Sequence, residues 1–362
     1  MPYDRPNLPE FVYLGHSRLH RHRANLLQTL HTVAALTAQG IEAVLYLPPW
    51  HRGTEPVARL ADFGIDVPLV LRSSPLLHRR WPPELFVLWH RRWLLNVPAV
   101  YVRAPVLSLA LARLGIAHHL EIHTLSALQA SGQLARLMIH HRAGLIRTLL
   151  PISATAARGL IAAGAVPGRI HVSPSGVDMA RFGAVSPLDP ARLARPRLLY
   201  VGSVSADRGL PLLTALAEDD SLTITLVGPA PTGRLGSRLC HRPPVPHREV
   251  PALYQEAELV LLPYQPELEH ADAISPLKLF EAMAAGRLIV ASDIPPLREI
   301  LRHRGNALLV PPRDLSAWRA AIQTLRTDPA FALQLAETAR REAQSYDWQA
   351  RAAGILRAIG LR

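Results

Sequence analysis

A single cysteine, Cys240, stands in this 362-residue sequence, so no internal disulfide and no cysteine-based metal cluster is available. It reads as a small buried apolar residue. Long apolar runs are also missing. A membrane-spanning helix needs about 18 uninterrupted apolar residues, and the longest candidate, 97–117, is broken by Arg103, Pro105 and Arg113. The first residues, Met1-Pro2-Tyr3-Asp4-Arg5, lack the charged-then-apolar pattern of a secretory signal, which points to a cytoplasmic protein. No repeat and no low-complexity tract interrupts the chain, which excludes solenoids and tails. Lysine is almost absent: of the 40 basic residues only Lys278 is a lysine, and the rest are arginines.

Apolar residues make up 49% of the sequence and run along its whole length, enough for two folded domains. The formal net charge is +12, and it is uneven. Residues 1–190 hold 19 basic and 10 acidic residues, whereas 191–362 hold 21 and 18. A basic first half attracts anionic membrane, nucleic acid or phosphorylated substrate, and charge alone does not choose among them.

Short apolar runs alternate with helical patterns, the arrangement of parallel α/β architecture. Strands are expected at 11–14, 43–47, 67–71, 99–102, 119–122, 149–152 and 170–173. After a Pro- and Arg-containing linker at 187–196, a second series is expected at 198–201, 222–227, 259–262, 288–291 and 307–310. Ser153 suits the cap of a helix ending near Gly164, and 315–361 is helical in pattern with a break at Pro329. The expected fold is α/β, with two Rossmann-like doubly wound domains facing an interdomain cleft. Such sheets bind ligands outside the carboxyl ends of their strands.

The most informative segment is Ser275-Pro276-Leu277-Lys278-Leu279-Phe280-Glu281-Ala282-Met283-Ala284-Ala285-Gly286. Ser275 suits an N-cap, Pro276 the first helical turn and Gly286 the position after the helix. The helix is apolar on nearly every face, so it is expected to be buried, and its only charges are Lys278 and Glu281. Two readings are open for them. One is a mutual ion pair at i, i+3. The other has Glu281 accepting hydrogen bonds from a ribose while the helix start receives phosphate oxygens.

This segment resembles the donor-binding signature of family 4 glycosyltransferases, retaining enzymes of the GT-B fold and group 1 type. Glu281 matches the glutamate that binds the nucleotide ribose in that family. The family's first glutamate would fall at Ala273, so that half of the motif is missing, with Asp272 as a substitute beside it. The resemblance extends over nearly the whole chain. Gly202, Ser203 and Arg208, after the strand Leu199-Tyr200-Val201, match the family's strand, glycine and cation element, where the cation neutralises the donor diphosphate. Ser203 stands where a basic residue is usual. A solvated arginine at a helix start is the other reading of Arg208. Pro151-Ile152-Ser153 and Pro174-Ser175-Gly176-Val177-Asp178, with Phe182, resemble the track that ends the first domain, with Ser175 in place of an asparagine. These are structural residues.

The resemblance implies a first, acceptor-binding domain over 1–187, a donor-binding domain over 188–345, and a last helix over 346–362 packing back on the first domain. It also implies that His123, in Glu121-Ile122-His123 at a strand end, faces the donor sugar or reacting oxygen; the other reading is a satisfied structural histidine. Arg103, after the strand 99–102, either lines the acceptor side or makes a surface or interdomain ion pair. Gly15 and His16 end the first strand on the acceptor side. With Arg18, His20, Arg21 and Arg23 they either meet an acidic or lipid-phosphate acceptor or form a solvated loop.

Arginine and tryptophan interleave in Leu76-Leu77-His78-Arg79-Arg80-Trp81 and Trp89-His90-Arg91-Arg92-Trp93-Leu94-Leu95. That mixture suits an anionic membrane interface or an α/β helix with a basic exposed face, and no nucleic-acid-binding motif accompanies it.

The function so implied is transfer of a sugar, a hexosyl group, from a UDP- or GDP-sugar to a hydroxyl of a glycan or lipid-linked acceptor, with retention and without a metal or cofactor. The nucleotide-sugar is a substrate, and no Asp-x-Asp motif is placed to hold a metal. Arg208, Lys278 and the amides near Ser275, Pro276 and Leu277 would stabilise the leaving diphosphate. Glu281 would fix the ribose and His123 the reacting groups. A GT-B-fold sugar-nucleotide epimerase and a non-catalytic GT-B scaffold are the alternatives. The place of action is the cytoplasm, extending to the inner face of the membrane.

Overall fold

The computed structural model describes residues 8–21, 23–230, 235–268 and 274–362. The chain forms two compact units. The first comprises Met1–Pro174 together with Trp348–Arg362, and the second Ser175–Asp347.

The first unit is built on six parallel strands: β1 (Phe11–Leu14), β2 (Ala43–Leu47), β3 (Val70–Ser73), β4 (Ala99–Val102), β5 (His118–Ile122) and β6 (Ile146–Pro151). Their order is β3-β2-β1-β4-β5-β6. The second unit repeats the plan with β7 (Arg197–Val201), β8 (Thr223–Val227), β9 (Cys240–Arg242), β10 (Leu259–Leu262), β11 (Leu288–Ser292) and β12 (Leu308–Val310), in the order β12-β11-β10-β7-β8-β9. In each unit the chain lays down three strands in one direction, returns beside the first, and continues the other way. Each unit therefore has a topological switch point, between β1 and β4 in one and between β7 and β10 in the other.

Alternation decides which side chains meet. In the second unit Val260, Leu262, Ile289 and Ala291 enter one apolar cluster, whereas Leu259, Leu261, Leu288 and Val290 enter another. Both faces of the sheet are covered, which is why these strands read as continuous apolar runs. Phe280, Ala282 and Met283 of the helix Leu277–Ala284 lie in the first cluster, and Trp318 and Ile322 of Leu315–Thr327 in the second. The expected break at Pro329 is present, with Asp328 accepting from the Phe331 amide at 3.0 Å.

Several expectations need correction. The segment 170–173 is not a strand; Ile170 only bridges Leu149 before the chain leaves the sheet. The third strand starts at Val70, because 67–69 lacks a paired neighbour among the described residues. A short edge strand, β9, has no apolar run to announce it. Cys240 begins that strand and is exposed rather than buried, since an edge strand here has a sheet partner only in β8. Residues 175–187, read from sequence with the first domain, lie in the second unit, where Val177, Phe182 and Val185 join its core.

The helix Trp348–Ile359 packs against Ala24–Ala38 of the first unit. Arg351 anchors it. Its guanidinium donates to Glu121 Oε2 at 3.1 Å, to Thr32 Oγ1 at 2.7 Å and to the Pro174 carbonyl at 2.8 Å. Glu121 is fully buried and also accepts from the Tyr101 hydroxyl at 2.6 Å and from Gln28 at 3.2 Å. A buried carboxylate needs this many donors, because removing one charged partner strands the other away from water. Arg351→Met is expected to destabilise the first unit by about 3–5 kcal/mol, read by hydrogen exchange of the β5 amides and by the urea midpoint. Adding Glu121→Gln should recover part of that loss. An R351M protein with unchanged exchange would refute the anchor.

Candidate functional site

The carboxyl end of β7 opens onto the switch point of the second unit. Gly202 follows Val201 with φ 111°, and its amide donates to the Val227 carbonyl at 2.8 Å. A Cβ there would lie 3.3 Å from the Lys278 ammonium, so the absence of a side chain is what lets that ammonium approach. Gly209 (φ 87°) closes the same loop against β10: a Cβ would come within 2.4 Å of the Pro263 carbonyl.

Lys278, in the first turn of the helix Leu277–Ala284, rests its half-buried ammonium over the Tyr200 ring, 3.5 Å from the centroid, with Tyr264 at 5.6 Å. Burial, followed by the nearby Arg208 cation, holds its pKa well below the ordinary lysine value. Among the described residues no carboxylate forms an ion pair with it. Arg208 ends the turn Ala206–Arg208 and donates to the Ser203 carbonyl at 3.4 Å, while Ser203 itself is exposed. Two cations therefore converge beside a bare stretch of backbone.

Glu281 lies one helical turn further on and is 5% exposed. The i, i+3 pair with Lys278 does not form. Instead Oε1 accepts from His247 Nε2 at 2.9 Å and Oε2 from the Tyr254 hydroxyl at 3.0 Å. The Tyr254 hydroxyl also lies 3.2 Å from the Lys278 carbonyl. Each carboxylate oxygen keeps acceptor capacity beyond these single bonds. Ser275 does not cap the helix; the cap position is Pro276. The Ser275 hydroxyl accepts from the Ser175 amide at 2.9 Å, and Ser175 Oγ donates to the Ser275 carbonyl at 2.6 Å. That double bond pins the start of the helix to the Ser175–Asp178 turn, which gives the turn its structural role. Gly286 takes φ 61° after the helix. Ala273 and Asp272 lie outside the described residues.

The switch point of the first unit gathers the other candidates. Gly15 follows β1, and a Cβ on it would lie 2.6 Å from Leu47. His16 Nε2 accepts from Asn25 at 3.2 Å. Arg103, after β4, donates to the Asn25 carbonyl at 3.2 Å and to His123 Nδ1 at 3.1 Å, and lies 3.7 Å from Glu121. Its partners thus sit within its own unit. His123 Nε2 donates to Glu121 Oε1. An arginine can only donate, so Nδ1 is the acceptor and the ring is the neutral Nε2–H tautomer. Burial and the Arg103 cation hold its pKa down to about 4. Both ring nitrogens are engaged, so the ring orients Arg103. Beyond β1, His20, Arg21, Arg23 and His51 line a cavity of about 460 Å³.

Sequence reasoning missed His247, Tyr254, Tyr200 and Tyr264. No motif spacing marks them; they reach the site from a turn, a helix and two strand ends that only the fold unites. Arg351 and Tyr101 were missed likewise, although one carboxylate within a fully buried strand, β5, is a signal that cations converge there. A further cavity of about 600 Å³ in the second unit, lined by Met179, Gly183, Glu337, Arg340, Arg341 and Gln344, shares no residue with either cluster. No group of three metal-ligating side chains occurs among the described residues.

Two doubly wound units in one chain are the GT-B fold of glycosyltransferases. Sucrose-phosphate synthase of Thermosynechococcus elongatus superposes with a TM-score of 0.75 at 19% identity, over 97% of this chain and 98% of that one. HepE of Anabaena, solved in complex with UDP, superposes with a TM-score of 0.73 at 16% identity, over 98% and 100%. Residues 195–328 match the family model of glycosyl transferases, group 1. That span contains Gly202, Ser203, Arg208, Ser275, Pro276, Leu277, Lys278 and Glu281. The D-inositol 3-phosphate glycosyltransferase of Xylanimonas cellulosilytica is 29% identical over 221 residues, 53% of this chain and 51% of the relative. The chain spans about half the length of the curated relatives it matches.

Histidine burial in the first unit sets a pH dependence. His118, bonded to Ser108 at 2.7 Å and to the Ile116 carbonyl at 2.9 Å, has its pKa lowered by burial from 6.5 to about 4. Burial and its neighbour His118 lower His119 to about 3, and His123 stands at about 4. Between 6.5 and these values the unfolded chain binds more protons, so stability rises with pH and is lost as pH falls through that window. Glu121, held well below the ordinary carboxylate value by Arg351 and His123 against the opposing effect of burial, keeps its contribution through this window. The unfolding free energy from urea titration should fall steadily from pH 7 to 4.5, by about 2 kcal/mol for each of the three histidines. A flat profile would overturn the neutral assignments.

Proposed function

We propose that this protein is a glycosyltransferase that takes a hexosyl group from a nucleoside-diphosphate sugar, UDP-linked in the first instance, and passes it to a hydroxyl acceptor with retention of configuration. One observation carries the reading: Lys278, with its pKa depressed, lies against Gly202 and Arg208 against the Ser203 carbonyl beside it at the switch point, inside the segment that matches the group 1 glycosyl transferase family. Two cations with no carboxylate bonded to Lys278 among the described residues repel each other, and an anion between them relieves that repulsion. A diphosphate supplies such an anion, with glycine backbone permitting close approach.

As the glycosidic bond breaks, charge grows on the leaving diphosphate, and Arg208, Lys278 and the first amides of the helix Leu277–Ala284 stabilise it. These groups supply positive potential of the kind a divalent ion provides elsewhere, so the reaction runs without a metal. Glu281, oriented by His247 and Tyr254, accepts from the ribose hydroxyls with its remaining lone pairs. On the acceptor side Arg103 is the donor, held in place by His123 and the Asn25 carbonyl. The HepE complexes with UDP and with UDP-glucose support the donor class.

Nucleoside diphosphates should raise the melting temperature of the full chain. At a hundredfold excess over Kd the stabilisation is about 2.7 kcal/mol. Arg208→Ala and Glu281→Ala should each abolish most of the shift, and no shift with UDP or GDP in the native protein would sink the reading. Incubation with UDP-glucose and no acceptor should leave the sugar's configuration unchanged; formation of an epimer would mark an epimerase instead.

A further inference from the structure

The helix Pro83–Leu94 of the first unit buries Phe86, Val87 and Leu94. Its opposite face is apolar too. Leu85 is 38% exposed, Leu88 53% and Trp89 79%, and Trp81 and Leu95, just before and after the helix, are 53% and 50% exposed. Leu85, Leu88, Trp89 and Arg92 fall at i, i+3, i+4 and i+7, so they form one stripe. Exposed apolar residues are ordinary when scattered, but a contiguous stripe on one helix marks a contact surface.

Arg92 ends the stripe, and Arg79, Arg80 and Arg91 rim it, all four exposed. Residues 67–120 contain seven arginines and a single acid, Glu84. That acid is already paired with Arg113 at 2.8 Å. The positive rim is therefore uncompensated by carboxylates of its own segment.

We propose that this face docks the protein on a bilayer surface bearing anionic headgroups. Indole rings favour the headgroup level, where the ring is buried and its N–H meets water or phosphate. Arginines beside them extend to the phosphates while their stems cover apolar surface. A helix lying in the surface plane with aromatic and leucine residues below and arginines at the sides has the pattern of interfacial binding. A second copy of the chain fits less well. A two-fold contact would set each rim of arginines against its equivalent.

The test uses the full chain and vesicles of pure phosphatidylcholine or of phosphatidylcholine with about 30% phosphatidylglycerol, at low and physiological salt. The protein should sediment with the anionic vesicles at least about tenfold more than with the neutral ones. Brominated lipid should quench tryptophan fluorescence, and Trp81→Phe with Trp89→Phe should remove that quenching. Leu88→Ser with Trp89→Ala should abolish sedimentation, and Arg91→Ser with Arg92→Ser should weaken it and flatten its salt dependence. All five positions are exposed, so the melting temperature of the tryptophan and leucine variants should stay unchanged, and that of the arginine pair should fall only by the loss of the Arg91 bond to the Leu114 carbonyl. Equal binding to neutral vesicles, or no binding at low salt, would overturn the proposal. So would concentration-dependent self-association lost in W89A, or binding of single-stranded nucleic acid lost in the same variant.

Discussion

A six-stranded parallel sheet wound outward in two directions from its middle must leave a gap where the direction reverses, and the charged groups proposed to meet donor and acceptor sit at such gaps. The loops after β1 and β4 diverge to opposite faces, as do those after β7 and β10, so the strand ends between them stay open. What lies there comes from those loops and, in the second unit, from the first turn of the helix Leu277–Ala284, which brings Lys278. In the second unit that material is Gly202, Arg208 and the aromatic pair Tyr200 and Tyr264. In the first it is Gly15, His16 and Arg103, joined by His123 from the end of the neighbouring β5. The same constraint thus produces two clusters of different chemistry.

The two clusters handle buried charge in opposite ways. Glu121 is surrounded by Arg351, Tyr101, Gln28 and His123, so its ionised form is held by bonds on every side. Such a centre is rigid and saturated, and it fixes a helix from the far end of the chain. Lys278 has instead the faces of two tyrosines and the repulsion of Arg208. A charge so placed is left under-stabilised by its surroundings, and a site in that condition gains most from an incoming anion. Saturation points to architecture, and deficit to binding.

Most strands were legible because they read as short apolar runs bounded by Gly, Pro or polar residues, and burial on both faces makes those runs continuous. Phe11–Leu14, Ala99–Val102 and Leu259–Leu262 are direct cases. The failures have equally specific causes. Cys240–Arg242 borrows its pairing from β8 and needs no apolar face of its own. Ile170 satisfies one bridge and then departs. Ser275 has the chemistry of a cap, yet a distant backbone amide, that of Ser175, claims its hydroxyl. The residues around Glu281 were invisible for a related reason: His247 and Tyr254 are brought to it by tertiary packing, which no local spacing encodes. For His123 the position was readable, but the engagement of both its nitrogens depends on Arg103 arriving from a neighbouring strand.

A sequence with one lysine carries one ε-amine, and here the fold has put it over Gly202. Reagents that acylate or reductively alkylate amines meet no other side chain of that kind along the entire chain. With its proton affinity depressed, this amine is in the free-base form at lower pH than an ordinary lysine, which makes it the stronger competitor for such reagents. Among side chains, ordinary amine chemistry, usually the least selective way to tag a protein, is directed in this molecule to a single crevice.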